Sequence, residues 1–343
     1  MSQKIEFYVS WHSLVKDYAI SGGWTFDGKE FVVTDALGGV YVFNGDSGNL
    51  IWSKTDAHKN GSLATAIHPS ENKFLTTGQD GKVFLWKTSN NNLEKVIDLG
   101  NSWVENVAWS VQGDLFAVSC LKKVHVFNKL GDKIWTSDDH KSTVSKIAWS
   151  INNELATACY GRVSFFEGIT GELKQKLEWK GSLVSMILSP DGDIVVCGSQ
   201  DNTVHFWRRS TEKDSMMSGY PLKPSNLAFD ESGTFLATGG GEEITVWNFK
   251  GSGPEGTTPL SLKFHKNPIS SLAFANHGMN LASGSRDGSL AIWGLKNDDS
   301  GGDLCDTRVA ESISKLYWRP DDNALAALDR QGGVTVFLRG KKS

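Results

Sequence analysis

Residues Ile269 to Trp293 read ISSLAFANHGMNLASGSRDGSLAIW, and the plan of the whole chain is contained in them. ISSLAF is an apolar segment that closes on an aromatic, ANHG is a turn, NLASGS is a second apolar run, RDG is a Gly-bearing turn, and SLAIW alternates to a terminal Trp. The same phrase recurs as VENVAWSVQGDLFAVSCLKKVHVF from Val104 and as LVSMILSPDGDIVVCGSQDNTVHFW from Leu183. Aligned on the terminal aromatic, the copies end at Phe43, Trp86, Phe127, Phe166, Trp207, Trp247, Trp293 and Phe337, at spacings of 43, 41, 39, 41, 40, 46 and 44 residues. The aromatic or aliphatic residue closing the first segment keeps the same register: Trp24, Ile67, Trp109, Trp149, Leu188, Phe229, Phe274 and Trp318. Eight such copies use up nearly all of the 343 residues, which leaves no room for a second domain and predicts one domain over 1–343.

A repeat of roughly 40–45 residues with four short strands is one blade of a β-propeller. The pattern resembles the WD-repeat family over essentially the whole chain, and the resemblance implies an all-β ring of eight four-stranded antiparallel blades. In that family a His ahead of the first strand, a Ser or Thr on the second, an Asp in the next turn and a Trp on the third form a buried hydrogen-bonded set, because each polar group removed from water needs a partner. His265, Ser283, Asp287 and Trp293 match it, as do His58, Thr76, Asp80 and Trp86. The fifth copy keeps Asp201 and Trp207 but has Cys197 and Trp179 in the Ser and His slots; the fourth keeps His140, Thr157 and Phe166 without an Asp. Tyr220 fills the His slot of the sixth. Four copies rest on periodicity alone, and seven blades with an irregular segment is the alternative. The opening KIEFYVSW alternates like a strand, and Lys4–Trp11 is expected to supply the outer strand that the last copy lacks, removing two free sheet edges.

Composition sets the function class. A formal charge of −4 and a pI near 6.1 argue against general affinity for nucleic acid or anionic membrane. No run approaches the ~18 apolar residues needed to span a bilayer, the N-terminus lacks a signal-peptide pattern, and four scattered Cys make no disulfide framework. A cytoplasmic, soluble protein is expected. Gly251–Gly256 spells G-x-G-x-x-G, but a Pro interrupts it and a strand is due next, where a dinucleotide site requires a helix. GSGPEGTT after Trp247 and NDDSGGD after Trp293 read as solvated bottom-face loops. His125 and His205 read as interblade packing, and Cys120 and Cys159 as thiols near the top rim, too few for a closed zinc site. No catalytic set, metal or cofactor is expected.

The resemblance further implies that partners bind the top face, through the turns after second strands and the starts of first strands. The first of these slots holds Ala36, Gln79, Cys120, Cys159, Gln200, Gly240, Arg286 and Arg330; the second includes Tyr18, Leu63, Trp103, Glu105, Val184 and Lys223. Trp103 stands out, since Trp buries much area at little entropic cost and is enriched at binding hot spots; plugging the channel mouth is its alternative role. Counting by two puts Trp103, Glu105, Val107 and Trp109 on one side of their strand. Arg286 and Arg330, on neighbouring copies, are expected to form a cationic corner for a carboxylate. The expected partner-binding set is therefore Trp103, Glu105, Tyr18, Gln79, Gln200, Arg286 and Arg330. The expected function is a non-catalytic scaffold or adaptor holding one or more proteins in a complex. A peptide or small ligand in the central channel is the alternative, and an enzyme site there has the least support.

Overall fold

The computed structural model describes residues 5–251, 253–296 and 304–341. Within them the chain forms 32 strands, which pair as eight four-stranded antiparallel sheets. The innermost strands, in chain order, are Ala19–Trp24, Ser62–Ile67, Val104–Trp109, Lys146–Trp149, Leu183–Leu188, Asn226–Phe229, Ile269–Phe274 and Ile313–Trp318. Each touches its neighbours, and the first touches the eighth, so the eight sheets close a ring. Blades 1 to 7 take four consecutive strands each. Blade 8 takes three, and its outer strand is the N-terminal Ile5–Leu14, paired from Ile5↔Lys341 to Leu14↔Gly333 with a bulge between Val9 and Trp11. The strand runs past the expected Trp11, and Lys4 lies outside the described residues.

Both faces of every blade are covered, which explains the near-continuous apolar runs of the second and third strands. Phe31 and Val33 face blade 8 while Val32 faces blade 2, and the buried apolar residues divide into eight clusters, one at each blade junction.

The thirteen Trp account for much of the rest. Trp24, Trp109, Trp149 and Trp318, which close first strands, donate their indole N–H to Tyr317 O, Ala66 O, Ala108 O and Ala273 O on the innermost strand of the preceding blade, at 3.0 to 3.2 Å. On the outer strands the direction reverses: Trp11, Trp52 and Trp135 donate to Gly45 O, Thr88 O and Gly168 O of the following blade. Each bond satisfies a carbonyl at a blade junction and adds roughly 1 kcal/mol to the apolar burial there.

The upper ends of the innermost strands depart from regular alternation. Blades 1, 2, 3, 5, 7 and 8 carry a bulge at the same place, with Ile20, Leu63, Glu105, Val184, Ser270 and Ser314 as the extra residue. A bulge adds one residue on one strand and re-aims its neighbours. Counting by two therefore fails in blade 3, and Trp103 and Glu105 cannot be assigned to the face of Val107 and Trp109.

The G-x-G-x-x-G stretch links the third strand of blade 6, Ile244–Asn248, to its outer strand, Leu260–Leu262, with Ser252 outside the described residues. Strands flank it on both sides, so it lacks the helix N-terminus that would hold a pyrophosphate. Of the NDDSGGD insertion, all seven residues, 297–303, lie outside the described residues.

Candidate functional site

The buried polar sets hold the top ends of the blades. In blade 2, His58 Nε2 lies 2.8 Å from Thr76 Oγ1, His58 Nδ1 lies 3.0 Å from Asp80 Oδ1, and Trp86 Nε1 donates to Thr76 Oγ1 at 2.9 Å. Burial pushes the Asp80 carboxyl up, but the His58 contact and the amides of Lys59 and Lys82 hold it below its ordinary value. Blade 7 departs from the expected set. His265 Nε2 meets Ser283 Oγ at 2.7 Å and Trp293 donates to that oxygen, yet His265 Nδ1 turns to Ser289 Oγ at 2.6 Å. Asp287 is left to accept from the backbone amides of Lys266 and Ser289. With a neutral hydroxyl as partner, burial dominates and His265 is pulled down to about 4, against the weaker pull of Asp287.

Substitutes complete the other blades. In blade 6, Tyr220 OH meets Thr238 Oγ1 at 2.8 Å and accepts from Trp247 Nε1 at 3.0 Å, taking the place of both His and Asp. In blade 4, His140 Nδ1 bonds the carbonyl of Lys122, so no Asp is required. The His205 ring stacks at 3.7 Å on Trp179, which follows the outer strand of blade 4 and packs at the junction of blades 4 and 5, and it meets the edge of Trp207 of its own blade at 4.3 Å. Burial pulls it down to about 4 despite Asp214, whose carboxylate lies 3.3 Å from Nε2 without hydrogen-bond alignment. His125 also bonds within its blade, to Thr136. Cys120 and Cys159 end second strands as expected, but both are buried, which raises both thiols.

One backbone hydrogen bond fixes the top-face slot after the second strand. The amides of Ala36, Gln79, Gln200, Arg286 and Arg330 donate to Tyr18 O, Gly61 O, Ser182 O, Pro268 O and Ser312 O of the loop entering their own blade, at 2.9 to 3.2 Å. These residues thus stand at equivalent positions around the ring. Their side chains then diverge. Gln200 and Arg286, both exposed, line a depression of about 490 Å³ across blades 5 to 7 together with Val184, Asn202, Leu222 and Lys223. The guanidinium of Arg330 instead lies 6.0 Å over the ring of Tyr18, in blade 1. Arg286 and Arg330 are therefore turned toward different neighbours and do not share a corner in the described contacts. Gln79 is half-buried over blade 2.

Trp103 is 51% exposed, the most open of the thirteen Trp, and precedes the innermost strand of blade 3. Exposed Leu121 and Tyr160 end the neighbouring turns of blades 3 and 4. The top face so carries a cationic depression over blades 5 to 7 and an aromatic and aliphatic group near blades 3 and 4, on successive parts of the ring. Leu222 and Asn202 escaped sequence reasoning because they lie in irregular loops that no strand periodicity marks.

The WD domain, G-beta repeat model matches residues 48–87, 171–208 and 256–294. Each match starts near the outer strand of one blade and ends with the third strand of the next, so the sequence repeat straddles a blade junction. The chain is 25% identical over 279 residues to the serine-threonine kinase receptor-associated protein of Dictyostelium discoideum, covering 77% of this chain and 90% of that protein. It is 22% identical to actin-interacting protein 1 of Caenorhabditis elegans, over 94% of this chain and 54% of that one. It is 25% identical to the ribosome biogenesis protein YTM1 of Phaeosphaeria nodorum, over 87% of this chain and 64% of that one. The crystal structure of the computationally designed Ika8 protein superposes with a TM-score of 0.81 at 20% identity, over 98% of this chain and all of that one. Three repeats of the chain match that model, and the described residues form a β-propeller of eight blades built on one plan.

Proposed function

We propose that the chain is a non-catalytic scaffold or adaptor that holds a partner protein on the top face of the ring, with the depression over blades 5 to 7 as the principal contact. The observation that carries this reading is the charge of that depression. Lys223 and Arg286 line it, no acidic side chain among the described residues does, and exposed Leu222 offers an apolar surface beside them. The chemistry suits an extended acidic segment with an apolar residue next to its carboxylate, since Arg pairs carboxylates in a bidentate way. Trp103 adds an anchor for a partner large enough to cross the mouth of the ring.

The relatives support a place in a larger assembly. Their names include a receptor-associated protein, an actin-interacting protein and a ribosome biogenesis protein. A 25% identical relative from Xenopus laevis is named U3 small nucleolar RNA-associated protein 15 homolog, and that name favours an RNA-containing assembly as a second setting. Four unpaired cysteines support a reducing compartment. Among the described residues no helix is long and apolar enough to cross a membrane.

The test compares proteins that co-purify with the wild type, with Lys223→Glu/Arg286→Glu, and with Trp103→Ala. Loss of the same partner from the charge-reversed form supports the reading. A partner set unchanged in both variants refutes a top-face site, and partners lost only after nuclease treatment support the RNA-containing setting.

A further inference from the structure

Three residues before the aromatic or aliphatic residue that closes each innermost strand, the ring carries Ser21, Ala64, Asn106, Lys146, Ser185, Asn226, Ser271 and Lys315. In blades 3, 5, 6 and 7 this side chain ties its blade to the next. Asn106 Nδ2 reaches Ser145 O, Ser185 Oγ donates to Pro224 O, Asn226 Nδ2 donates to Ile269 O, and Ser271 Oγ accepts from Leu316 N. In blades 4 and 8 the position is a lysine, and neither lysine makes such a tie. Lys146 Nζ reaches only Asn106 Oδ1 of blade 3, at 3.4 Å, and the Lys315 ammonium has no hydrogen-bond or ion-pair partner among the described residues.

Blades 4 and 8 are opposite members of an eight-blade ring, so Lys146 and Lys315 stand at equivalent positions on opposite sides of its axis. Both residues are exposed although their strands belong to the innermost layer and touch the innermost strands of both neighbouring blades, which is the condition of residues lining a solvent-filled central channel. Burial pulls both lysines below the ordinary ammonium range; the charge of Lys146 adds to this at Lys315, and Glu105 opposes it at Lys146. Two repelling cations with one carboxylate nearby leave the channel electropositive, and low-dielectric walls strengthen its field. A single multivalent anion between the two relieves the repulsion; a monovalent one satisfies one lysine only.

We infer that the channel is a binding site for a small phosphate-type polyanion, held between Lys146 and Lys315. Lysine binds phosphate as a point charge; the Lys315 ammonium is free to do so, and Lys146 gives up only its long contact with Asn106.

The probe is inorganic pyrophosphate, titrated calorimetrically into the full chain at constant ionic strength, with citrate as the carboxylate comparison. Pyrophosphate is expected to bind, Lys146→Gln and Lys315→Gln each to weaken it about tenfold, and the double variant to abolish it. Glu105→Gln is expected to tighten binding, and this arm stands even where a lysine variant fails to fold. Lys223→Glu/Arg286→Glu is expected to leave binding unchanged, which separates the channel from the top-face depression. Absence of binding to the wild type, retention in the double lysine variant, or citrate binding as tight as pyrophosphate would overturn the inference.

Discussion

Trp24 of blade 1 donates its indole N–H to the carbonyl of Tyr317 in blade 8 at 3.0 Å, across 293 residues of sequence. The ring is thereby closed by the same bond that joins blade 3 to blade 2 through Trp109 and Ala66. Closure thus reuses an internal joint, and the outer strand Ile5–Leu14 adds a second latch through Trp11 and Gly45.

Trp24→Phe keeps most of the ring volume but leaves the Tyr317 carbonyl without its donor. The expected loss is about 1–3 kcal/mol, read as a lower urea midpoint. Trp103→Phe, at an exposed position, should shift stability by less than about 0.5 kcal/mol. Equal shifts for the two would contradict the assignment of their roles.

Gly48, whose carbonyl accepts from Ser13 Oγ, tests the outer latch from the side of blade 1. Its φ is +71°, and a Cβ there would lie 2.5 Å from the Trp11 ring. Gly48→Ala should therefore displace Trp11 and loosen the N-terminal strand, with faster hydrogen exchange over residues 5–14 and 333–341. Unchanged exchange in those segments would refute the latch.

Thr76→Val is nearly isosteric and removes the oxygen shared by His58 and Trp86. The buried Trp86 N–H loses its acceptor and His58 Nε2 loses its hydroxyl partner, at about 1–3 kcal/mol each. Thermal melting should place this variant well below Thr203→Val, whose hydroxyl serves an exposed turn.

His205 and His265 make stability depend on pH in a defined window. Each titrates near 6.5 when unfolded and at about 4 when folded. Between those values the unfolded chain binds more protons, so stability is full above about pH 6.5 and falls as pH drops toward 4. The limiting loss is on the order of 3 kcal/mol per histidine. Urea midpoints at pH 7.5, 6 and 5 should fall in that order, and His265→Asn should flatten the slope. A slope unchanged in that variant would show that His265 is not buried neutral.

The ring itself could be read from the chain because its strongest signals are large residues at fixed spacing. Trp86 and Trp293 mark third strands, Trp109 and Trp149 mark first strands, and the surplus alternating segment at Ile5 supplies the strand that the last copy lacks. The details that shape the site were hidden for local reasons. A bulge at Glu105 adds a residue without any distinctive residue type, so counting by two fails where the top face begins. Ser289 captures His265 because it starts the next strand, a proximity set by the turn and absent from the family pattern. Lys146 and Lys315 look like ordinary surface lysines until ring closure sets blade 4 opposite blade 8. Arg286 and Arg330 occupy equivalent slots, but their long side chains are drawn to different neighbours, and spacing does not encode that.

The most direct test of the scaffold account is hydrogen–deuterium exchange on the chain with and without its co-purified partner. The account predicts protection at the entrance to blade 5, in the Gln200 and Leu222 loops and around Arg286, with little change on the bottom turns. Protection confined to the bottom turns or to the outer strands would contradict it.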